Sequence, residues 1–236
     1  MPSRVDKLRG HAEHLLDGFL GLREKYAMLD RMLFDHELVK RWGSGPKGRG
    51  FKILRNALYL SCVQEIAKLS ADTADRAPSV RNFVGALADP SLRTELRENY
   101  SVWHIGTLAE QDPEVASLLK EMELKKQEER RLQFDEHYAQ LSQTWSSFSA
   151  SSKLQSFVTI RDKLSAHTDV HFIDGKYVLL DVRTLGLKWG DIKYALDSLQ
   201  QMVDLVNLLV RNASFAWDML DEQLHEAAVG FWGQTQ

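Results

Sequence analysis

Three side chains that can bind an anion and move a proton lie within seven residues of one another: Arg161, Asp162 and His167. Arginine carries a permanent positive charge on a planar fork of donors, whereas histidine gains and loses a proton near neutral pH. In a helix the arginine and the histidine would be separated by about 9 Å of rise. A donor fork and a titrating group at this spacing are suited to acid–base chemistry beside a charged substrate.

A helix is predicted to carry these residues. Ser152 followed by Gln155 is a capping-box pattern, which indicates that the helix begins there. An apolar stripe follows at spacings of three, four and three, and its last position is a histidine where a core would place leucine, isoleucine or methionine. The stripe consists of Phe157, Ile160, Leu164 and His167.

The spacing Arg161-Asp162-x4-His167 resembles the signature of the HEPN superfamily, in which arginine is followed by Asn, Asp or His and, four residues later, by histidine. The longer segment from Ile160 to Asp169 is similar to the branch of that superfamily associated with phage abortive infection. The context agrees with the resemblance, because the motif ends a predicted helix in a helical chain and a long amphipathic helix follows.

The resemblance implies a helical-bundle protein, commonly a homodimer, that cleaves RNA without a metal or another cofactor. The attacking group would be the 2′-hydroxyl of the RNA itself. His167 would transfer a proton and Arg161 would hold the phosphate, with two such sets brought together by a two-fold dimer that packs the stripe against its twin. Asp162 would orient Arg161 or the partner's His167, or pair with Lys163.

The same resemblance implies a toxin or antiphage effector, for which an antitoxin protein is an expected partner.

Two other functions are consistent with the residues. In an extended strand His167, Asp169 and His171 share one face and would suit zinc or manganese in a metal-dependent hydrolase. A non-catalytic helical module that binds a nucleotide or a protein is the second, with Arg161 in a salt bridge and His167 at a helix end.

Composition limits the classes of protein that need to be considered. The chain has 236 residues, a net charge of −3 and one cysteine, so no disulfide framework exists and a reducing cytoplasm is expected. No apolar run approaches the roughly 20 residues that cross a bilayer, so no membrane association is expected. General nucleic-acid binders are usually basic, so contact with RNA must come from a local patch.

One such patch is predicted where glycines interrupt the helical pattern between Trp42 and Gly50, which are interpreted as a loop. A basic segment that also carries an aromatic ring can hold single-stranded RNA. The alternative is a solvated connection between helices. The candidate RNA-binding residues are Arg41, Lys47, Arg49, Lys52 and Arg55, together with Lys163 beside the motif.

Periodicity predicts mostly helices. Ser3 and Asp6 form a capping box ahead of a heptad stripe that continues to Leu33, and the apolar segment Phe51 to Ala71 predicts a central, buried helix. Prolines and N-cap residues predict two short helices near 79–88 and 90–99. A helix with a mixed charge run follows from Asp112.

After the motif, alternating residues around Asp174-Gly175 predict a small β-hairpin near 170–182. From Asp191 a helix of about nine turns is predicted as far as Leu224. The sequence therefore predicts an all-α helical bundle with long antiparallel helices and one small hairpin. We expect a single domain, residues 1–236, with a charged helical insertion around 112–150.

Overall fold

The computed structural model describes residues 3–103, 113–166, 170–173, 176–179 and 186–233. Within these residues a π-helical segment, Arg161–Ala166, follows α7, and two short strands precede α8. The all-α fold class is confirmed. The α-helices of the described residues are α1 (Arg4–Phe34), α2 (His36–Trp42), α3 (Gly45–Ala71), α4 (Val80–Leu87), α5 (Pro90–Ser101), α6 (Pro113–Ser149), α7 (Ser152–Ile160), α8 (Trp189–Arg211) and α9 (Trp217–Trp232).

The long first helix forms as the sequence predicts. The Ser3 hydroxyl accepts the Asp6 amide at 3.0 Å, and the Asp6 carboxylate accepts the Ser3 amide at 3.2 Å, so both halves of the capping box are present. Most of the heptad stripe of α1 is buried, as predicted, although Leu8 and Leu33 at its ends are only partly buried. Its fully buried side chains include Ala12, Leu15, Phe19, Leu22 and Leu29.

Helices α1, α3 and α8 form the centre of the bundle. Side chains from the early part of α1 reach the end of α8, as when Arg9 donates to the Val210 carbonyl, and Arg23 contacts Gln200 nearer its start, so the two helices are antiparallel. Helix α6 packs on α5 and α8, but no described residue of α6 before Phe134 is buried. The highly charged first half of α6 therefore lies at the surface.

The segment predicted as a loop between Trp42 and Gly50 is largely helical, so that prediction is wrong. Only Gly43 and Ser44 separate α2 from α3. Pro46 lies in the first turn of α3, where a missing amide hydrogen costs nothing. A Cβ on Gly48 would lie 2.6 Å from the Gly43 carbonyl oxygen, so glycine permits this tight helical corner.

Helix α3 is not buried along its whole length, contrary to the prediction for Phe51 to Ala71. Ile53 and Leu54 are 62% and 41% exposed, whereas Cys62, Val63 and Ile66 are completely buried. An apolar side chain does not need to be buried, because much of any protein surface is apolar. The second half of α3 thus belongs to the main core, whereas its first half is partly exposed and buries Phe51 in a smaller cluster with Trp232.

The helix predicted from Asp191 to Leu224 is divided in two. It begins earlier, at Trp189, and ends at Arg211, after which Asn212 adopts the left-handed conformation with φ of 54°. Asparagine tolerates this conformation better than other residues with a Cβ, so it can end a helix in place of glycine. The apolar stripe continues across the break because Trp217 of α9 packs edge-on against Phe19, with ring centroids 5.5 Å apart.

The strands β1 (Val170–Ile173) and β2 (Lys176–Leu179) pair antiparallel, with Val170 opposite Leu179 and Ile173 opposite Lys176. The Asp174-Gly175 turn and residues 180–182 of the predicted hairpin lie outside the described residues. Among the helices of the described part of the chain, none is long and apolar enough to cross a membrane.

Cys62 provides a test of the core. Its side chain is completely buried, and burial raises the pKa of the thiol to about 12. Because the thiolate is the reactive form, we expect Ellman's reagent at pH 8 to label no thiol in the folded protein. One thiol per chain should react after unfolding in guanidinium. Rapid labelling of the native protein at a rate independent of unfolding would contradict this arrangement of α3.

Candidate active site

Helix α7 positions the motif, and its first residues differ slightly from the prediction. The N-cap is Ser151, one residue earlier than predicted, and its hydroxyl accepts the Leu154 amide at 3.2 Å. The buried side chains Leu154, Phe157 and Ile160 pack in the core, where α7 lies against α3. The first part of the predicted apolar stripe is thereby confirmed.

The motif itself lies in a π-helical segment, so the prediction of a continuous α-helix from Ser152 to His167 is wrong beyond Ile160. The hydroxyls of Ser156 and Thr159 donate to the carbonyls of residues 152 and 155 at 3.0 and 2.8 Å. Such bonds weaken and bend a helix. A π-turn contains more residues than an α-turn, so side-chain directions calculated for an α-helix do not apply after Ile160. Segments of π-helix often occur at functional sites.

Arg161 and Asp162 form a side-chain pair at the start of this segment. The Arg161 Nε atom donates to the Asp162 Oδ1 atom at 2.8 Å. The Arg161 side chain is 28% exposed and that of Asp162 is 56% exposed. The two Nη atoms of Arg161 have no partner among the described residues. Of the roles that the sequence left open for Asp162, contact with Arg161 is the one observed.

Other candidate residues near the motif lie outside this description. His167 and Asp169 are not among the described residues, and the side chain of His171 is not described either. Within the described part of the chain, no group of three or more metal-binding side chains is arranged to hold an ion. Lys163, the residue after Asp162, is partly buried.

The buried stripe changes how a dimer could form. Phe157 and Ile160 are each 0% exposed within one chain, so these side chains already pack against their own core. These two side chains are therefore not available to a twin. The side chains of Leu164 and His167, the other half of the predicted seam, lie outside the description, so the dimer itself stays a prediction. Among the described side chains of the motif, that of Asp162 is the most exposed.

The predicted basic patch lies on α2 and α3, and α3 also packs against α7 and the π-helical segment. Arg41 donates to the backbone carbonyl of Trp232, so it helps to hold the end of α9. The ammonium group of Lys47 lies 5.5 Å from the centre of the Trp42 ring. Arg49 and Lys52 are exposed on α3. The structure thus places most of this patch on the helix that supports α7.

A comparison with protein-family models identifies the chain. The HEPN model described as AbiU2 matches residues 6–231, which is nearly the whole sequence. The chain belongs to the HEPN AbiU2 family. This match covers the N-terminal helices as well as the motif and the C-terminal helix, where the resemblance in sequence was clearer. No curated protein and no solved structure matched the chain.

Membership of the AbiU2 family places the chain in the branch of the HEPN superfamily associated with abortive infection. The family match does not identify which side chains act. In this AbiU2 chain, Arg161 and Asp162 form the one motif pair whose side-chain geometry is described.

Sequence reasoning missed an aromatic residue beside the basic patch. Trp189 begins α8, and its ring packs edge-on against Tyr59 with centroids 4.7 Å apart. The guanidinium of Arg55 lies 5.5 Å from the centre of the same ring. The sequence did contain a signal for this helix start. Asp191 is the third residue of α8, and its carboxylate accepts the Lys188 amide at 2.8 Å, as in a capping box. Had Asp191 been interpreted as the third helical residue rather than the first, Trp189 would have been predicted at the helix start.

Proposed function

We propose that this AbiU2-family protein is a metal-independent endoribonuclease that acts as a toxin or antiphage effector in abortive infection. Family membership supports the HEPN class. The observation that carries the proposal is the Arg161–Asp162 pair at the start of the π-helical segment, where the Nε atom is held and the Nη atoms have no described partner. A guanidinium held in this way presents two parallel donors, which match two oxygens of a phosphate.

The reaction follows from the chemistry of RNA. His167 accepts the proton of the 2′-hydroxyl, and the 2′-oxygen attacks the neighbouring phosphorus. The bond from phosphorus to the 5′-oxygen then breaks, and that oxygen takes up a proton from a protonated imidazole. The products are a 2′,3′-cyclic phosphate and a 5′-hydroxyl. Arg161 stabilises the negative charge that develops on the phosphate oxygens.

This scheme uses one imidazole as the base and a second, protonated imidazole as the acid. A homodimer would provide both, one from each chain. Because Phe157 and Ile160 are buried in their own chain, the second chain would approach the exposed edge at Asp162. The exposed cations of α3 would guide RNA towards the motif, since α3 supports α7. An antitoxin protein would restrain the activity.

The proposal is tested by incubating purified protein with single-stranded RNA in excess chelator. We expect wild-type protein to cleave RNA and His167→Ala to be inactive, while His14→Ala retains activity because His14 lies on an exposed face of α1. Cleavage that needs added metal, together with bound metal in the purified protein, would instead favour the site formed by His167, Asp169 and His171. RNA binding without cleavage under any of these conditions would favour a non-catalytic module.

Asp162 is proposed as a positioning residue for Arg161. We expect Asp162→Ala to lower the maximal rate of cleavage about tenfold, because Nε is released and the fork is no longer oriented. Asp162→Glu should restore part of the rate. The free energy of unfolding should change little, since exposed ion pairs contribute little to stability. Equal maximal rates of cleavage for the wild type and Asp162→Ala would contradict this role.

A further inference from the structure

A partly exposed tryptophan lies at the corner between α3 and α8. The side chain of Trp189 is 41% exposed although the residue begins a helix that is otherwise well packed. Its ring is fixed by the edge-on contact with Tyr59, which is itself buried. A large aromatic surface that is rigidly held and open to solvent is suited to stacking with a flat ligand.

A guanidinium lies beside this ring, and no carboxylate of the described residues pairs with it. The Arg55 guanidinium lies 5.5 Å from the centre of the Trp189 ring. Its Nε atom is buried and has no hydrogen-bond partner among the described residues. The cation–π contact with tryptophan restrains the guanidinium. The ring therefore orients Arg55, and no carboxylate among the described residues forms an ion pair with it.

The surrounding charge is positive. From Gly45 onward the first acidic residue of α3 is Glu65, so the first five turns of the helix carry only basic charges, at Lys47, Arg49, Lys52 and Arg55. Lys188 is exposed immediately before Trp189. The nearby carboxylate of Asp191 is already engaged, because it contacts the Lys153 ammonium at 2.8 Å and accepts the Lys188 amide. This corner is consequently basic in a chain whose net charge is −3.

We propose that Trp189 stacks a nucleobase of single-stranded RNA, while Arg55 and Lys52 contact the phosphates on either side. The proposal rests on RNA being the substrate, as in the proposed function, but not on the identity of the catalytic residues. Single-strand sites combine a basic track with aromatic rings on which bases stack, and this corner has both. Paired bases do not expose their faces, so duplex RNA should bind less tightly.

The experiment measures binding of a labelled single-stranded RNA by fluorescence anisotropy, with chelator present and with Arg161→Gln as the background, so that the RNA stays intact. We expect Trp189→Ala to weaken binding about tenfold or more, and Trp189→Phe to keep it within about threefold, since phenylalanine also stacks. Arg55→Gln should weaken binding as well. Phe231→Ala is the matched control, because Phe231 is an aromatic residue with 66% exposure on α9.

The outcomes separate this inference from the proposed function. Unchanged binding by Trp189→Ala, or equal losses for the alanine and phenylalanine variants, would overturn the stacking site even if wild-type protein cleaves RNA. Loss of binding in Trp189→Ala but not in Trp189→Phe, with no cleavage by wild-type protein, would support the stacking site and refute the nuclease. Urea unfolding of each variant shows whether a loss of binding comes from a loss of folding.

Discussion

Replacing Arg161 with glutamine is expected to lower the rate of RNA cleavage about a hundredfold or more while RNA binding changes little. Glutamine keeps a polar side chain but removes the charge and the fork that stabilise the phosphate as negative charge develops, and loss of one such donor commonly has an effect of this size. Arg161→Lys should be nearly as inactive, because an ammonium group restores the charge without the paired donors. Single-turnover cleavage of a labelled RNA measures both effects.

Arg97→Gln is the matched control for Arg161. The side chain of Arg97 is also 28% exposed and also contacts an aspartate, with its Nε atom 3.0 Å from Asp135, but it lies on α5 away from the motif. We expect this variant to cleave RNA at the wild-type rate. If Arg97→Gln and Arg161→Gln lose activity equally, or if neither loses it, Arg161 does not have the role proposed here.

Replacing Phe157 with alanine is expected to lower the free energy of unfolding by about 3–5 kcal/mol. Phe157 is 0% exposed and belongs to the main core, where α7 packs against α3. The substitution removes a large buried ring and leaves a cavity in a closely packed interior. Because α7 leads directly into the π-helical segment, the variant should also cleave RNA more slowly at temperatures where it remains folded. Urea unfolding followed by circular dichroism measures the loss of stability.

Phe231→Ala provides the corresponding surface control. Phe231 is 66% exposed, so we expect its removal to change the free energy of unfolding by less than about 1 kcal/mol. A small loss of stability in Phe157→Ala, similar to that of the control, would indicate that α7 does not pack against α3 as observed. It would also weaken the argument that this stripe is unavailable to a second chain.

The elements that the sequence predicts well are those with their own local signals. Ser3 and Asp6 cap α1 through bonds that span only three residues, and Asp89 caps α5 by accepting the Ser91 amide at 2.9 Å. The Ser91 hydroxyl, which donates to the same carboxylate at 2.8 Å, and the salt bridge from Arg4 lower the pKa of Asp89 to about 2. Local chemistry of this kind can be identified without knowledge of the fold.

The break after Arg211 was not predicted, and the interruption predicted between Trp42 and Gly50 is much shorter than expected, because periodicity alone does not show where a helix ends. The apolar stripe of α8 continues into α9 across Asn212, since Trp217 packs on the same core as α8. At the other break, the corner at Gly43 and Ser44 depends on Gly48 approaching the preceding turn. A glycine-rich segment predicts flexibility in isolation, whereas here the glycines allow close contact within a helical corner.

The sequence predicts only part of the geometry at the candidate site. The motif spacing identified Arg161 and Asp162, but not which of three partners Asp162 would contact, because that choice depends on the π-helical backbone. The contact between Arg55 and Trp189 was not predicted, because it joins two helices that are far apart in the sequence. The contact becomes visible only once the packing of α3 against α8 is known.

The most direct test of the central claim is the dependence of cleavage on the 2′-hydroxyl in the absence of metal. The measurement compares an RNA with the same RNA carrying a single 2′-deoxynucleotide at the cleaved position, both in excess chelator. The proposed mechanism predicts that the RNA yields a 2′,3′-cyclic phosphate and that the substituted position is not cleaved. Cleavage at the 2′-deoxynucleotide, or a product with a 5′-phosphate, would contradict it.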